Sequence, residues 1–149
     1  MSAEAALDAD TCRALLVRGV VGRLAFWAYD GPRLHPFNYA VLDDLLVLRT
    51  RPGSALARLV HEQPGARAAF EVDEIDHPDQ RGWSVQARGP LERLHDPTVL
   101  AEIERVRPPR PWAPGERTVL VGLGCAELTG RRLGAGWDPL DAQTFRRLG

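Results

Sequence analysis

Arg49, Thr50 and Ser54 are the residues whose types and spacing most readily do chemistry. They lie in Leu46-Val47-Leu48-Arg49-Thr50-Arg51-Pro52-Gly53-Ser54-Ala55-Leu56-Ala57-Arg58-Leu59. An apolar, strand-like run ends in Arg-Thr and breaks at Pro52-Gly53. It restarts at Ser54 with Leu56, Leu59 and Val60 at helical spacing. A serine at such a start caps the helix by accepting from N–H groups of the first turn. The segment therefore gathers a guanidinium, two hydroxyls and the positive end of a helix, a donor set suited to a phosphate. It lacks the lysine and the longer glycine-rich spacing of the P-loop, which argues against a nucleoside-triphosphate cradle. On local pattern alone, a plain strand-turn-helix junction with solvated arginines is the simpler account.

Other reactive side chains offer less. His35, His61, His77 and His95 show no metal-ligand spacing, and no Ser-His-Asp order stands out. Only His35, one residue before Pro36-Phe37-Asn38-Tyr39, invites a role beyond that of a half-exposed strand residue. Cys12 and Cys125 stand apart from each other and from any histidine, as reduced, buried thiols do. All 19 basic residues are arginine, so Schiff-base chemistry on a lysine is excluded and any anion must be met by arginine, hydroxyls or backbone N–H groups. Asp73, Glu74, Asp76, His77 and Asp79 form an acidic cluster, but the oxygen spacing is not that of an EF-hand, and a solvated loop accounts for it.

A chain of 149 residues with 44% hydrophobic and 26% charged residues is an ordinary single globular domain, here taken as residues 1–149. A net charge of −1 argues against general nucleic-acid binding. No apolar run is long enough to span a bilayer as a helix, and the acidic N-terminus lacks the basic region of a signal peptide. The expectation is a cytoplasmic protein that acts on a small molecule, with neither nucleic acid nor membrane as partner.

The elements that must position the donors follow from periodicity and turn signals. A short helix is expected over about 8–17, capped by Asp8 or Asp10. Strands are expected over Val20–Tyr29, Leu34–Leu42 and Leu45–Thr50, joined by Asp30-Gly31 and Asp43-Asp44 turns. The helix opened by Ser54 runs to about Glu62 and ends at Pro64-Gly65. Strands over Ala66–Ile75 and Gly82–Leu94 come next, the latter with Trp83, Val85, Ala87 and Gly89 on one face and Ser84, Gln86 and Arg88 on the other. A helix over Pro97–Val106 leads to a proline-rich connector, 107–115, which contains Trp112 and is either a stiff linker or an arm over a neighbour. One long strand, Thr118–Thr129, and a C-terminal tail, 134–149, close the chain. About six strands in short-turn succession, with helices inserted, predict a mainly β fold: a small antiparallel barrel with peripheral helices.

Several short motifs then line up. Val21-Gly22-Arg23-Leu24-Ala25 and Pro36-Phe37-Asn38-Tyr39 are followed by Arg49-Thr50-x-x-Gly53-Ser54 and Phe70-Glu71-Val72-Asp73. Gly82-Trp83-Ser84-Val85 with Gly89, and Thr129-Gly130-Arg131-Arg132, complete the series. In this order and at these intervals, from about residue 8 to 134, the chain resembles the pyridoxamine 5′-phosphate oxidase-like family of FMN-binding split barrels. The resemblance implies a six-stranded antiparallel split barrel and a homodimer with its cofactor groove at the subunit interface. It implies FMN, or a deazaflavin coenzyme, as cofactor. It lays the ring along Pro36, Phe37, Asn38 and Tyr39, puts the phosphate at Arg49, Thr50 and Ser54, and sets Trp83 and Ser84 on the border of the groove. Family members usually carry a basic residue directly after Gly-Ser, where this chain has Ala55 and Leu56. Arg58, one helical turn on, or Arg51 is the candidate stand-in. Three activities fit the resemblance: a flavin-dependent oxidoreductase, a flavin or deazaflavin carrier or sensor without turnover, and a cofactor-free dimeric module.

Overall fold

The computed structural model describes residues 4–106 and 118–141. Its wall is built by strands whose side chains alternate strictly. In β2 (Val21–Ala28), Gly22, Leu24, Phe26 and Ala28 are buried while Arg23, Ala25 and Trp27 face outward. β2 turns through Asp30-Gly31 into β3 (Gly31–Leu42), and β3 through Asp43-Asp44 into β4 (Leu45–Thr50). Asp43 sits in the left-handed region at φ 51°, which aspartate tolerates and a two-residue hairpin needs.

Helix α2 (Ala55–Glu62), strands β5 (Arg67–Asp76) and β6 (Arg81–Arg93), helix α3 (Pro97–Val106) and strands β7 (Val119–Gly124) and β8 (Glu127–Leu133) follow. Ahead of them come β1 (Glu4–Ala6) and helix α1 (Ala9–Arg18). Asp8 caps α1 by accepting from Thr11 N at 2.7 Å, and Asp96 accepts from Thr98 N at 2.8 Å at the start of α3.

Strands β6, β5, β2, β3, β4 and β7 are neighbours in that order, and β7 pairs back with β6, closing a six-stranded antiparallel barrel. On the edge away from β5, β6 serves two ladders: Gly82–Arg88 pairs with β8, and Leu91–Arg93 with β7. Gly89 sits at the switch, where an added Cβ would lie 1.7 Å from the Gly124 carbonyl oxygen. β3 is divided in the same way. Its first part pairs with β2, and only Tyr39–Leu42 pairs with β4, so the barrel wall splits beside Pro36 and Phe37.

The interior holds Leu24, Phe26, Tyr39, Leu48, Phe70, Val85 and Leu123, with Leu56, Leu59 and Val60 of α2 and Cys12, Leu15 and Leu16 of α1 packed in from the periphery. Each such fully buried side chain contributes about 1.5–3 kcal/mol. A smaller cluster under α3 joins Val47, Ile103 and Leu120 on the outer side of the wall.

Two sequence expectations need correction. The long strand expected over Thr118–Thr129 is two strands, β7 and β8, because the chain leaves β4 and the β6–β7 seam at Cys125-Ala126 and rejoins β6 further along. The tail expected from residue 134 is in part a packed segment: Trp137 Nε1 donates to the Leu133 carbonyl at 2.9 Å, and Arg18 donates to the Leu140 carbonyl at 2.6 Å. The proline-rich connector and Trp112 lie outside the described residues.

Candidate functional site

β4 delivers its last two side chains to opposite faces. Leu46, Leu48 and Thr50 point inward, whereas Val47 packs under α3 on the outer face that Arg49 shares. Thr50 is a buried polar side chain, 4% exposed, and its Oγ1 lies 2.7 Å from Ser54 Oγ. Ser54 caps α2 as expected, accepting from Ala57 N at 3.1 Å. Between the two hydroxyls there are two protons, and their mutual bond uses one. The other is left to donate elsewhere. The N–H groups of Ala55 and Leu56 belong to the first turn, which has no intrahelical acceptor for them. Gly53, at φ +76°, has open space where a side chain would stand. A spare hydroxyl proton, first-turn N–H groups and an open glycine turn fit a phosphate monoester, which takes several donors at a helix start.

Arg49 is placed differently. Its guanidinium ion-pairs with Glu104 of α3, and its Nε is buried without a hydrogen-bond partner among the described residues. It reaches the strand end from the outer side, 55 residues in sequence from its partner, a pairing that no local pattern could reveal. Arg58 does not turn back to Ser54. Its guanidinium lies 5.0 Å from the centre of the Tyr29 ring, at the β2–β3 turn.

The split beside β3 supplies a second feature. Tyr39 N donates to the Val20 carbonyl at 3.3 Å, so its main-chain groups face β2. By strand alternation those of Leu34 and Pro36 face the other way, where β4 has already diverged. Pro32 and Pro36 both occupy positions aimed at this edge, as prolines do where no ladder partner needs an N–H. His35 and Phe37 line the inner side, with His35 5.5 Å from the Phe26 ring in an edge-on arrangement and 6.5 Å from Phe37. Asn38 is half-buried on the opposite face, beside Val21. The Tyr39 side chain is committed to the core: its hydroxyl donates to the Leu16 carbonyl and its ring packs edge-on to Phe70 at 5.0 Å.

Trp83 and Ser84 are not brought to this place within one protomer. Trp83 is buried on the inner face beside Glu74, and Ser84 faces outward beside Asp73 and Arg131. Both stand some seven residues, roughly 23 Å along β6, from the seam with β7. The structure thus joins Thr50, Ser54 and the start of α2, with Arg49 behind them and the open edge at Pro36 and Phe37 nearby along the wall. Among the described residues no cluster of His, Cys, Asp and Glu is arranged to hold a metal ion, and no helix is long and apolar enough to cross a membrane.

Known proteins resemble this chain in sequence, and solved ones in the arrangement of their strands. A protein of Mycobacterium tuberculosis known only as uncharacterized is 29% identical over 129 residues, 85% of this chain and 84% of its own. The solved structure of a FAD-binding protein from Mycobacterium smegmatis is 28% identical with a TM-score of 0.70, covering 87% of this chain and 98% of that one. A FAD-binding protein from Mesorhizobium loti is 25% identical with a TM-score of 0.67, over 88% and 99%. The family described as pyridoxamine 5′-phosphate oxidase matches residues 8–132. With the split barrel and the motif order in agreement, the chain belongs to the pyridoxamine 5′-phosphate oxidase-like family.

Proposed function

We propose that the protein binds a flavin nucleotide at the split and works as a flavin-dependent oxidoreductase on a small-molecule substrate. The observation that carries this reading is the Thr50–Ser54 hydroxyl pair at the start of α2, beside the unladdered edge of β3. The phosphate is assigned to Thr50, Ser54 and the first-turn N–H groups, with Arg49 adding positive charge from behind. The ring is assigned to the edge at Pro36 and Phe37, where carbonyls that face away from β2 can accept from it and Phe37 and His35 give it an apolar flank. Bound flavin would supply the hydride or electron transfer, which leaves the chain to bind, orient and exclude water. Relatives described as FAD-binding support a flavin. FMN is proposed because the donor set described above serves a single phosphate. The functional unit is proposed to be a homodimer.

Titration of the purified protein with FMN, FAD, riboflavin and a deazaflavin, followed by absorbance and fluorescence, tests the reading. Thr50→Val keeps the side-chain shape and removes one donor. It should weaken FMN about tenfold, the worth of one charge-assisted hydrogen bond of about 1.5 kcal/mol, and leave riboflavin nearly unchanged. Equal losses for both ligands would place the phosphate elsewhere. Bound flavin that a nicotinamide donor reduces marks an oxidoreductase; flavin that no biological donor reduces would make the protein a carrier.

A further inference from the structure

Arg49 stands at the phosphate site already engaged. Glu104 of α3 holds its Nη2, while the Nε of the same guanidinium is buried without a hydrogen-bond partner among the described residues. A guanidinium presents its N–H donors in a flat fork and is best matched by two acceptor oxygens at once. A single carboxylate oxygen at one corner uses little of that fork. The partners also differ in their access to water. The Arg49 side chain is 21% exposed and the Glu104 side chain 59%. The carboxylate can therefore return to water easily, and the guanidinium cannot.

Helix α3 meets the wall through a small patch. Ile103 packs with Val47 and Leu120 in the outer cluster, with Val99 and Leu100 half-buried beside it. Val47 and Arg49 share one face of β4, so the patch and the ion pair are neighbouring supports of the same helix. Glu102, the other acid of α3, is paired within the helix, with Arg105 at 2.6 Å.

We propose that Glu104 is a built-in counter-ion that a phosphate displaces from Arg49. It thereby sets how far the site favours a phosphate-bearing ligand over the same ligand without its phosphate. An exposed ion pair is weak. A phosphate monoester brings close to two negative charges and several acceptor oxygens, which can engage two N–H groups of the fork together. The exchange therefore runs toward phosphate, and its yield is reduced by whatever the Glu104 pair is worth. It also leaves α3 on its apolar patch alone, so filling the site loosens the helix. The inference deepens the proposed flavin reading and rests on it for the identity of the ligand, not for the exchange itself.

Glu104→Gln keeps the side-chain shape and removes the charge. Glu102→Gln makes the same change of charge on the carboxylate that Arg105 holds, and serves as the control. FMN and riboflavin are titrated into wild type and both variants at fixed ionic strength. Amide hydrogen exchange in α3 is followed with FMN, riboflavin, inorganic phosphate or chloride. Glu104→Gln should bind FMN about fivefold more tightly than wild type and riboflavin equally well. Glu102→Gln should match wild type for both. In wild type, FMN and inorganic phosphate should speed exchange in α3, whereas riboflavin and chloride should not. In Glu104→Gln the helix should exchange fast from the outset. FMN binding that Glu104→Gln fails to tighten, a gain shared by riboflavin or by Glu102→Gln, or α3 exchange that bound FMN leaves unchanged overturns the proposal with flavin binding intact. A protein that binds neither flavin sinks the flavin reading instead. The exchange at Arg49 then stands on the response of α3 to inorganic phosphate, and falls if α3 ignores it.

Discussion

Thr50 and Glu74 are polar side chains on inward positions of the sheet, and the fold treats them differently. Thr50 is satisfied by Ser54 and carries no charge, so its burial costs little. Glu74 is half-buried beside Trp83, whose side chain hydrogen-bonds it. Burial pushes its carboxyl up from the ordinary glutamate value, the Asp76 charge adds to that, and the bond to Trp83 opposes it. In the pH window between the ordinary and the raised value the folded state binds more protons than the unfolded one. Stability therefore falls as pH rises through that window, and the penalty stays in full above it. Glu74→Gln keeps an acceptor for the indole and removes the charge. Its urea midpoint should exceed that of wild type at pH 8, with the gap closing toward pH 4.5. Equal midpoints at pH 8 would show that water already reaches the carboxylate. None of this was legible in the sequence, where Glu74 reads as one more member of an acidic loop.

Elements were far more legible than their ends. Branched and aromatic residues between turn signals marked β2, alternation marked the inward face of β6, and Ser54 and Asp8 announced their helix starts because their side chains cap them. The break at Cys125-Ala126 was hidden, since β7 and β8 are both β-prone and differ only in which strand each joins. β1 escaped notice because three residues carry no period. The opposed faces of Arg49 and Thr50 followed from alternation, but that Arg49 is held by α3 did not. Two glycines show what sequence cannot weigh. Gly53 and Gly89 look alike on paper, yet a Cβ at Gly53 meets nothing within 4 Å, whereas one at Gly89 would stand 1.7 Å from a Gly124 oxygen. Gly53→Ala suffers only from φ +76°, roughly 1–2 kcal/mol. Gly89→Ala forces β6 away from the β7–β8 corner and should cost about 3 kcal/mol. Chemical denaturation of both variants checks the contrast, which fails if the two lose the same stability.

At the scale of the whole molecule, closure decides how the protein opens. Six strands form a ring whose last seam, β6 with β7, is short: Leu91, Glu92 and Arg93 against Leu123, Gly122 and Val121. Leu94 N extends it by donating to the Leu120 carbonyl at 2.9 Å, while Leu91 N, on the other edge of β6, donates to the Ala66 carbonyl beside β5 at 2.8 Å. Leu91, Val121 and Leu123 are fully buried in the main core, so parting the seam exposes that core and undoes the packing of α2 as well. A short ladder backed by such packing should open only with the rest of the barrel. β1 stands outside the ring. It pairs with β8 alone, and Leu7 N reaches the Gly130 carbonyl at 2.9 Å on the same rim. Native-state hydrogen exchange should therefore show Leu91 and Leu94 amides exchanging with a free energy equal to that of global unfolding. Leu7 should exchange faster, through a local opening that ignores small amounts of denaturant. A Leu94 amide as labile as that of Leu7 would mean that the seam parts on its own and that the barrel is, in energetic terms, an open sheet.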